Sequence, residues 1–294
     1  MSGWSLLPPE VRDIILKFLT HHNNIAPYAT VSKEWQSVIE KKNFGRLKLH
    51  PSSLDSLQRL TEQQQGLVKH IWLNIELKRY TCRSCRKMES LTSIYANNKI
   101  MAEAITRLFF LLANWKQNGG GLTLELNAYS PSDSEHWFKG CYFGAPDEVL
   151  GSECPPQRGL LAPAIHYPNH GFWHGPPTDD ALRRPFEPTT LRFQEELPSI
   201  QAVTQFFLRR QCRRQLDPST LSYLWAKLPQ LGEVRYEPWQ LSEGVSQDVW
   251  DSGKKPHLDS SSHKTNYLNY RLRKNDLSET SDERQEGYNI RGFQ

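Results

Sequence analysis

Apolar residues at Val11, Ile14, Ile15, Phe18 and Leu19 recur at the i, i+3, i+4, i+7, i+8 spacing of one α-helical face. Leu7-Pro8-Pro9-Glu10 stands before them, with proline suited to a first turn whose amides have no helical partner. His21-His22-Asn23-Asn24 breaks the pattern. A short link through Tyr28 and Val31 leads to Ser32, the expected N-cap of a second helix over Lys33–Lys41. Trp35, Val38 and Ile39 share a face of that helix, and Phe44 closes the block. Short helices with faces this wide cannot bury them against each other alone. Residues 1–46 are therefore predicted to be a helical domain that needs the rest of the chain or a partner.

Further along the period changes. Ile71, Leu73, Ile75 and Leu77 alternate at period two and predict a strand over 71–77. A helix is expected over 98–115, with Met101, Ala104, Ile105, Leu108, Leu112 and Trp115 on one face and Gly119-Gly120-Gly121 stopping it. Leu122, Leu124 and Leu126 then alternate again and predict a strand over 122–128. Strand, helix, strand normally gives parallel strands with the helix packed outside. Later, Leu197-Pro198-Ser199-Ile200-Gln201-Ala202-Val203 and Leu228-Pro229-Gln230-Leu231-Gly232-Glu233-Val234 share an L-P-x-[IL]-x-x-V element. Leu67-Val68-Lys69-His70-Ile71 fits it loosely. Between the two good copies, Asp217-Pro218 is expected to cap a helix bearing Leu221, Leu224, Trp225 and Leu228, ahead of a strand over 232–237. The expectation is an α/β domain over 67–241 built as an irregular, leucine-rich-repeat-like solenoid, the plainer alternative being an α/β domain with two similar strands. Residues 47–66 read as a linker. Residues 144–190, with nine prolines and five glycines, read as an insertion. In 242–294 only nine of 53 residues are Val, Leu, Ile, Phe or Trp, which predicts a disordered tail.

Composition changes this picture little. Lys and Arg total 36 against 32 Asp and Glu, a formal charge of +4, too even for a dedicated nucleic-acid binder. The longest apolar run, Leu108 to Ala113, is far short of a bilayer span, so no membrane partner is expected. Five cysteines without a basic leader read as thiols of a cytoplasmic or nuclear protein.

Few constellations suggest chemistry. Cys82-x-x-Cys85 is half a structural zinc set, but Cys141 and Cys154 lie at no ligand spacing, and His70 or His136 would have to arrive by folding. His166, His170 and His174 recur every fourth residue, yet Pro168, Gly171, Gly175 and Pro176-Pro177 forbid the helix that would stack them. Ser130-Pro131-Ser132-Asp133-Ser134-Glu135-His136 holds hydroxyl, carboxylate and imidazole, but no nucleophile elbow accompanies them; a turn with Ser132 or Asp133 as helix cap is the expected reading. Gly119–Gly121 lacks the G-K-[ST] ending of a phosphate loop. Arg209, Arg210, Arg213 and Arg214 form a basic run, expected as a solvated face or a surface for an acidic client. No catalytic residue, metal or cofactor is assigned on these grounds.

Leu7-Pro8-Pro9-Glu10-Val11, Ile15 and Leu19, followed by Val31-Ser32-Lys33-Glu34-Trp35, resemble an F-box. Leu122–Leu126 with Ser130–His136, Phe207-Leu208-Arg209-Arg210-Gln211, and Leu228-Pro229 through Arg235-Tyr236-Glu237-Pro238-Trp239 are similar to F-box proteins of filamentous fungi. The resemblance implies a non-catalytic substrate-recognition subunit of a Skp–cullin–F-box ubiquitin ligase. Leu7, Pro8, Val11, Ile15, Leu19, Val31 and Trp35 would meet the Skp adaptor, and the repeats would hold a protein client. Similar proteins continue past Glu-Pro-Trp into further repeats, whereas here the chain turns polar. Two alternatives stand beside this: an interaction scaffold with no role in ubiquitination, and a zinc-dependent enzyme using the histidine-rich segment.

Overall fold

The computed structural model describes residues 3–19, 25–116, 119–136, 179–209, 212–237 and 268–271. A 3-10 turn over Gly3–Leu6 leads into α1 (Pro9–Leu19); a second over Ala26–Thr30 precedes α2 (Lys33–Gly45). Ser32 caps α2 as its position predicts, its side chain accepting from the Trp35 amide. The chain then runs without a break from Gly45 into strand β1 (Arg46–Leu49). There follow α3 (Leu54–Gln58), α4 (Glu62–Leu67), β2 (His70–Glu76), α5 (Leu91–Leu112), β3 (Leu122–Tyr129), α6 (Pro131–Glu135) and α7 (Asp179–Phe186). Last come β4 (Val203–Leu208), α8 (Pro218–Ala226), β5 (Glu233–Tyr236) and β6 (Leu268–Arg271).

The strands form one sheet in the order of the chain, β1-β2-β3-β4-β5-β6. The first five pair parallel throughout, with Leu47 beside Ile71, Ile71 beside Leu124, Leu124 beside Phe206 and Phe206 beside Val234. That lateral row is apolar and packs with Leu54 and Leu57 of α3, Ile105, Leu108 and Leu112 of α5, and Leu221 and Leu224 of α8 in one cluster. The helices therefore share one face of the sheet, and mixed α/β architecture with parallel strands is confirmed. Leu16, Ile25 and Ile39 are buried outside that cluster and make a small core for the N-terminal helices. Phe44, at the end of α2, packs on the main cluster and fastens the block to the body.

Several expectations need correction. Residues 47–66 are not a linker: Leu49, Leu54 and Leu57 belong to the main core. The Arg46-Leu47-Lys48-Leu49 alternation is too short to stand out from the sequence, and only the neighbouring β2 makes it a strand. Strand β4 was hidden by its irregularity, since the register with β3 shifts at Leu122/Thr123 and adjacent Phe206 and Phe207 break the alternation. Helix α5 starts at Leu91, capped by Ser90, rather than near 98, because its first turns carry exposed apolar residues and so show no buried stripe. The L-P-x-[IL]-x-x-V copies are out of step with the ladder: Val203 opens β4, whereas its counterpart Val234 stands beside Phe206. The end of the supposed insertion forms α7, and Thr189 bridges to Leu216. The tail reading over 242–294 lies outside the described residues except at β6, which pairs antiparallel with β5.

Two local devices are testable. Gly121 enters β3 with φ of 66°, and a Cβ there would strike the Thr204 side chain. Gly121→Ala should therefore lower stability by about 1–3 kcal/mol, visible as a lower urea midpoint; an unchanged midpoint would refute this role for the glycine. Asp217, the N-cap of α8, accepts from Ser219 and Thr220 amides. Burial pushes its carboxyl up, but hydrogen bonds from Ser219, Thr190 and Thr220 outweigh that and bring it down to about 2. The unfolded value is about 3.9, so this stabilisation is complete above roughly pH 5 and is lost as pH falls through the folded value. Asp217→Ala should cost about 1–2 kcal/mol at pH 7, and its deficit against wild type should narrow in urea melts at pH 2.5.

Candidate functional site

Three regions carry the residues that the sequence singles out. The first is the N-terminal helical block. The apolar stripe of α1 splits between two tasks: Leu16 is buried and Ile15 and Leu19 are half-buried, while Val11, Ile14 and Phe18 face solvent. Leu6, Tyr28 and Val31 add to the exposed side. Ile14 and Phe18 are 65% and 69% exposed, which no monomeric helix needs. Trp35 is half-buried between Trp4 and Tyr28, with ring centroids 5.3 and 6.4 Å away, so it holds the block together. Glu34 ties the same elements, accepting from Trp4 Nε1 at 3.1 Å and Arg12 Nη1 at 3.0 Å. Pro8 is exposed and Leu7 half-buried, so it is Leu6 rather than Leu7 that reaches furthest outward. Leu6, Ile14, Phe18 and Tyr28 were not among the expected contact residues; the α1 periodicity marks Ile14 and Phe18 as apolar but not which way they turn.

The second region is the face of the sheet opposite the helices. The register lines up Lys48, Trp72, Glu125, Phe207 and Arg235 across the strands. Lys48 Nζ lies 4.3 Å over the Trp72 ring, and Arg235 and Arg209 lie 4.7 and 5.3 Å over Phe207. Cationic side chains over ring faces gain from the ring quadrupole, and their alkyl stems shield the rings. Glu125 is fully buried in the middle, with His70 Nε2 at 2.8 Å and Arg209 Nη2 at 3.4 Å. On flanking rows Thr123 donates to Gln205 and Gln205 to Glu233, and Asn127 donates to Asn74. Trp72, Asn74, Glu125, Asn127 and Phe207 are all buried on this face.

The third region gathers the loops after the carboxyl ends of β2, β3 and β4. Ser130 is the N-cap of α6 in a capping box with Asp133, so the hydroxyl–carboxylate–imidazole run is indeed a turn and cap, with Ser130 rather than Ser132 or Asp133 in the cap position. The same groups pin the loop after β2. Ser130 Oγ donates to the Lys78 carbonyl at 2.9 Å, Ser132 Oγ accepts from the Tyr80 amide at 3.1 Å, and Asp133 accepts from Tyr80 OH at 3.0 Å. Arg214 Nη1 reaches Asp133 at 3.2 Å. From α7, Arg184 lies 4.2 Å over the Tyr80 ring and donates to the carbonyls of Ser84 and Lys87 at 2.9 and 3.2 Å. Asn97 joins the Lys78 amide to Glu89, which faces Arg184 at 4.0 Å.

Burial raises the Tyr80 phenol well above its usual value, and the charge and hydrogen bond of Asp133 push it further, so Tyr80 stays a donor. Burial opposes the charge of Arg214, but Asp133, Glu89 and Tyr80 outweigh it and hold the guanidinium charged. Burial, then the neighbouring Cys82, raises the Cys85 thiol, and burial raises Cys212. Both are thereby kept as thiols, the less nucleophilic form. Cys82 Sγ lies 3.8 Å from His136 Nδ1, and among the described residues no three His, Cys, Asp or Glu side chains gather as a metal set.

The basic run is not the exposed surface expected of it. Arg209 and Arg214 are 7% and 5% exposed and serve as ends of ion pairs, Arg209 with Glu125 and Arg214 with Asp133. Arg213 is half-buried and its amide donates to the Ala128 carbonyl at 2.8 Å. Arg210, Cys141, Cys154, His166, His170 and His174 lie outside the described residues.

No family model, no curated protein and no solved structure matches the chain. Its functional reading therefore stands on the residues and their geometry. The third region makes a direct prediction. Asp133→Ala removes a cap, the Tyr80 bond and the partner of a buried guanidinium, and should cost about 3–5 kcal/mol. Asp133→Asn, which keeps an acceptor, should cost less; equal and small effects in chemical denaturation would dissolve the proposed pin.

Proposed function

We propose that this chain is a non-catalytic F-box-type substrate-recognition subunit of a Skp–cullin–F-box ubiquitin ligase. The N-terminal helices would dock on the Skp adaptor, and the parallel sheet, an irregular leucine-rich-repeat-like solenoid, would receive a protein client. The observation that carries the reading is the exposed apolar surface of Leu6, Val11, Ile14, Phe18, Tyr28 and Val31 on a block otherwise fastened to the body. An amphipathic helix with inner residues packed and outer ones largely exposed to solvent suits a groove or helical face on a partner. The strand order supports the second half: strands are laid down in sequence with the apolar faces of α3, α5 and α8 on one side, as a repeat-like array requires. Among the described residues no helix is long and apolar enough to cross a membrane.

The double substitution Ile14→Ser, Phe18→Ser should remove outward anchors without opening a core. Loss of central anchors costs about 2 kcal/mol or more, around thirtyfold in affinity, so co-purification with the Skp adaptor should fail while the melting temperature stays within a degree or two. Ile15→Ser, aimed inward, should instead lower the melting temperature. Adaptor binding unaffected by the double change, or no adaptor binding by the wild type, would overturn the reading. Adaptor capture without the cullin would favour the scaffold alternative.

A further inference from the structure

The loop after β2 and the first turns of α5 form a surface that the docking block and the sheet face do not use. Its backbone is held from beneath: Ser130, Ser132 and Asn97 bind its start, and Arg184 binds two of its carbonyls. Turns Thr81–Ser84 and Ser84–Lys87 close it further, with amide-to-carbonyl distances of 3.0 Å each. A segment fixed in this way presents its outward side chains in one arrangement, which reduces the ordering entropy a ligand must offset. Lys78, Arg83 and Lys87 point outward, and among the described residues no carboxylate forms an ion pair with them. The acidic residue of the loop, Glu89, is turned inward onto Asn97 and Arg184.

Beside these cations lies exposed apolar surface. Leu91 and Tyr95 stand one turn apart on α5 and are 85% and 72% exposed, and Met88 precedes them at 49%. Side chains at i and i+4 share a helix face, so Leu91 and Tyr95 make one patch, and Lys87 and Met88 stand just ahead of it in the chain. Isolated exposed apolar residues need no explanation, but three together beside unneutralised cations on a pinned backbone do.

We propose that this rim, Lys78, Arg83, Lys87, Met88, Leu91 and Tyr95, docks an acidic peptide segment of a partner protein that carries an apolar side chain among its carboxylates. The cations supply charge complementarity and a faster encounter, and the patch takes the apolar side chain from water. The inference rests on the recognition reading above for its biological sense, but its test involves no adaptor. A phage-displayed random dodecapeptide library is panned on the full chain and, in parallel, on the Arg83→Glu, Lys87→Glu variant and the Leu91→Ser, Tyr95→Ser variant. Circular dichroism and thermal melts check that both remain folded. Wild type should enrich peptides rich in Asp and Glu around Leu, Phe or Trp. A synthesised winner should bind at least tenfold more weakly to each variant by fluorescence anisotropy. Its affinity for wild type should fall several-fold between 50 and 300 mM salt, since the screening length of exposed charges shortens from about 14 Å to about 6 Å over this range. Enrichment of uncharged or basic peptides, equal enrichment on the charge-reversed variant, or no enrichment at all would overturn the proposal. None of these outcomes bears on whether the N-terminal helices bind the adaptor.

Discussion

The parallel hydrogen-bond ladder, extended strand by strand in chain order, is the constraint from which the other features of this protein follow. Each connection must cross from the end of one strand back to the start of the next, and the apolar side chains of α3, α5 and α8 all join the cluster on one face. A parallel sheet in this arrangement has two unlike sides. One is a dry row through Ile71, Leu124, Phe206 and Val234; the other carries Trp72, Glu125, Asn127 and Phe207. The period of two in each strand then decides which residues serve the core and which are available for other chemistry.

The polar side shows how charge is accommodated where a sheet face is closed to water. Glu125 is fully buried and lies between His70 and Arg209, so its charge has partners on both sides. A carboxylate taken from water without them would carry a penalty of several kcal/mol. The same economy operates at the carboxyl ends of the strands, where Asp133 serves as capping-box member, Tyr80 acceptor and Arg214 partner at once. Because these contacts link loops that follow three different strands, they fix the rim as a unit. They also explain why Arg214 is unavailable as a surface.

The N-terminal block follows another rule. Leu16, Ile25 and Ile39 are buried apart from the main core, and the block joins the body where α2 meets α4 and runs directly into β1, with Phe44 on the main cluster. The block leaves outward apolar residues exposed to solvent, and the proposed docking surface they form lies apart from the sheet.

By itself the sequence determined the class of the fold: the alternation at 71–77 and 122–128, the long apolar face of α5, and the caps Ser32 and Asp217 each act through neighbours close in the chain. It also determined that Ser130–His136 is a turn and cap, since the capping box closes over a few residues. Strands β1 and β4 were decided only by tertiary structure, because a four-residue alternation or a bulged run becomes a strand through the ladder beside it. The division of the α1 stripe into Leu16 within and Ile14 and Phe18 without was decided there too, since periodicity defines a face but not what covers it. The burial of Arg209 and Arg214 likewise depends on Glu125 and Asp133, which lie far off in the chain and meet them only when the strands align. Local patterns are set by bonded geometry and short-range hydrogen bonds; the partners of a charge and the cover of an apolar face are set by long-range contacts that no spacing encodes.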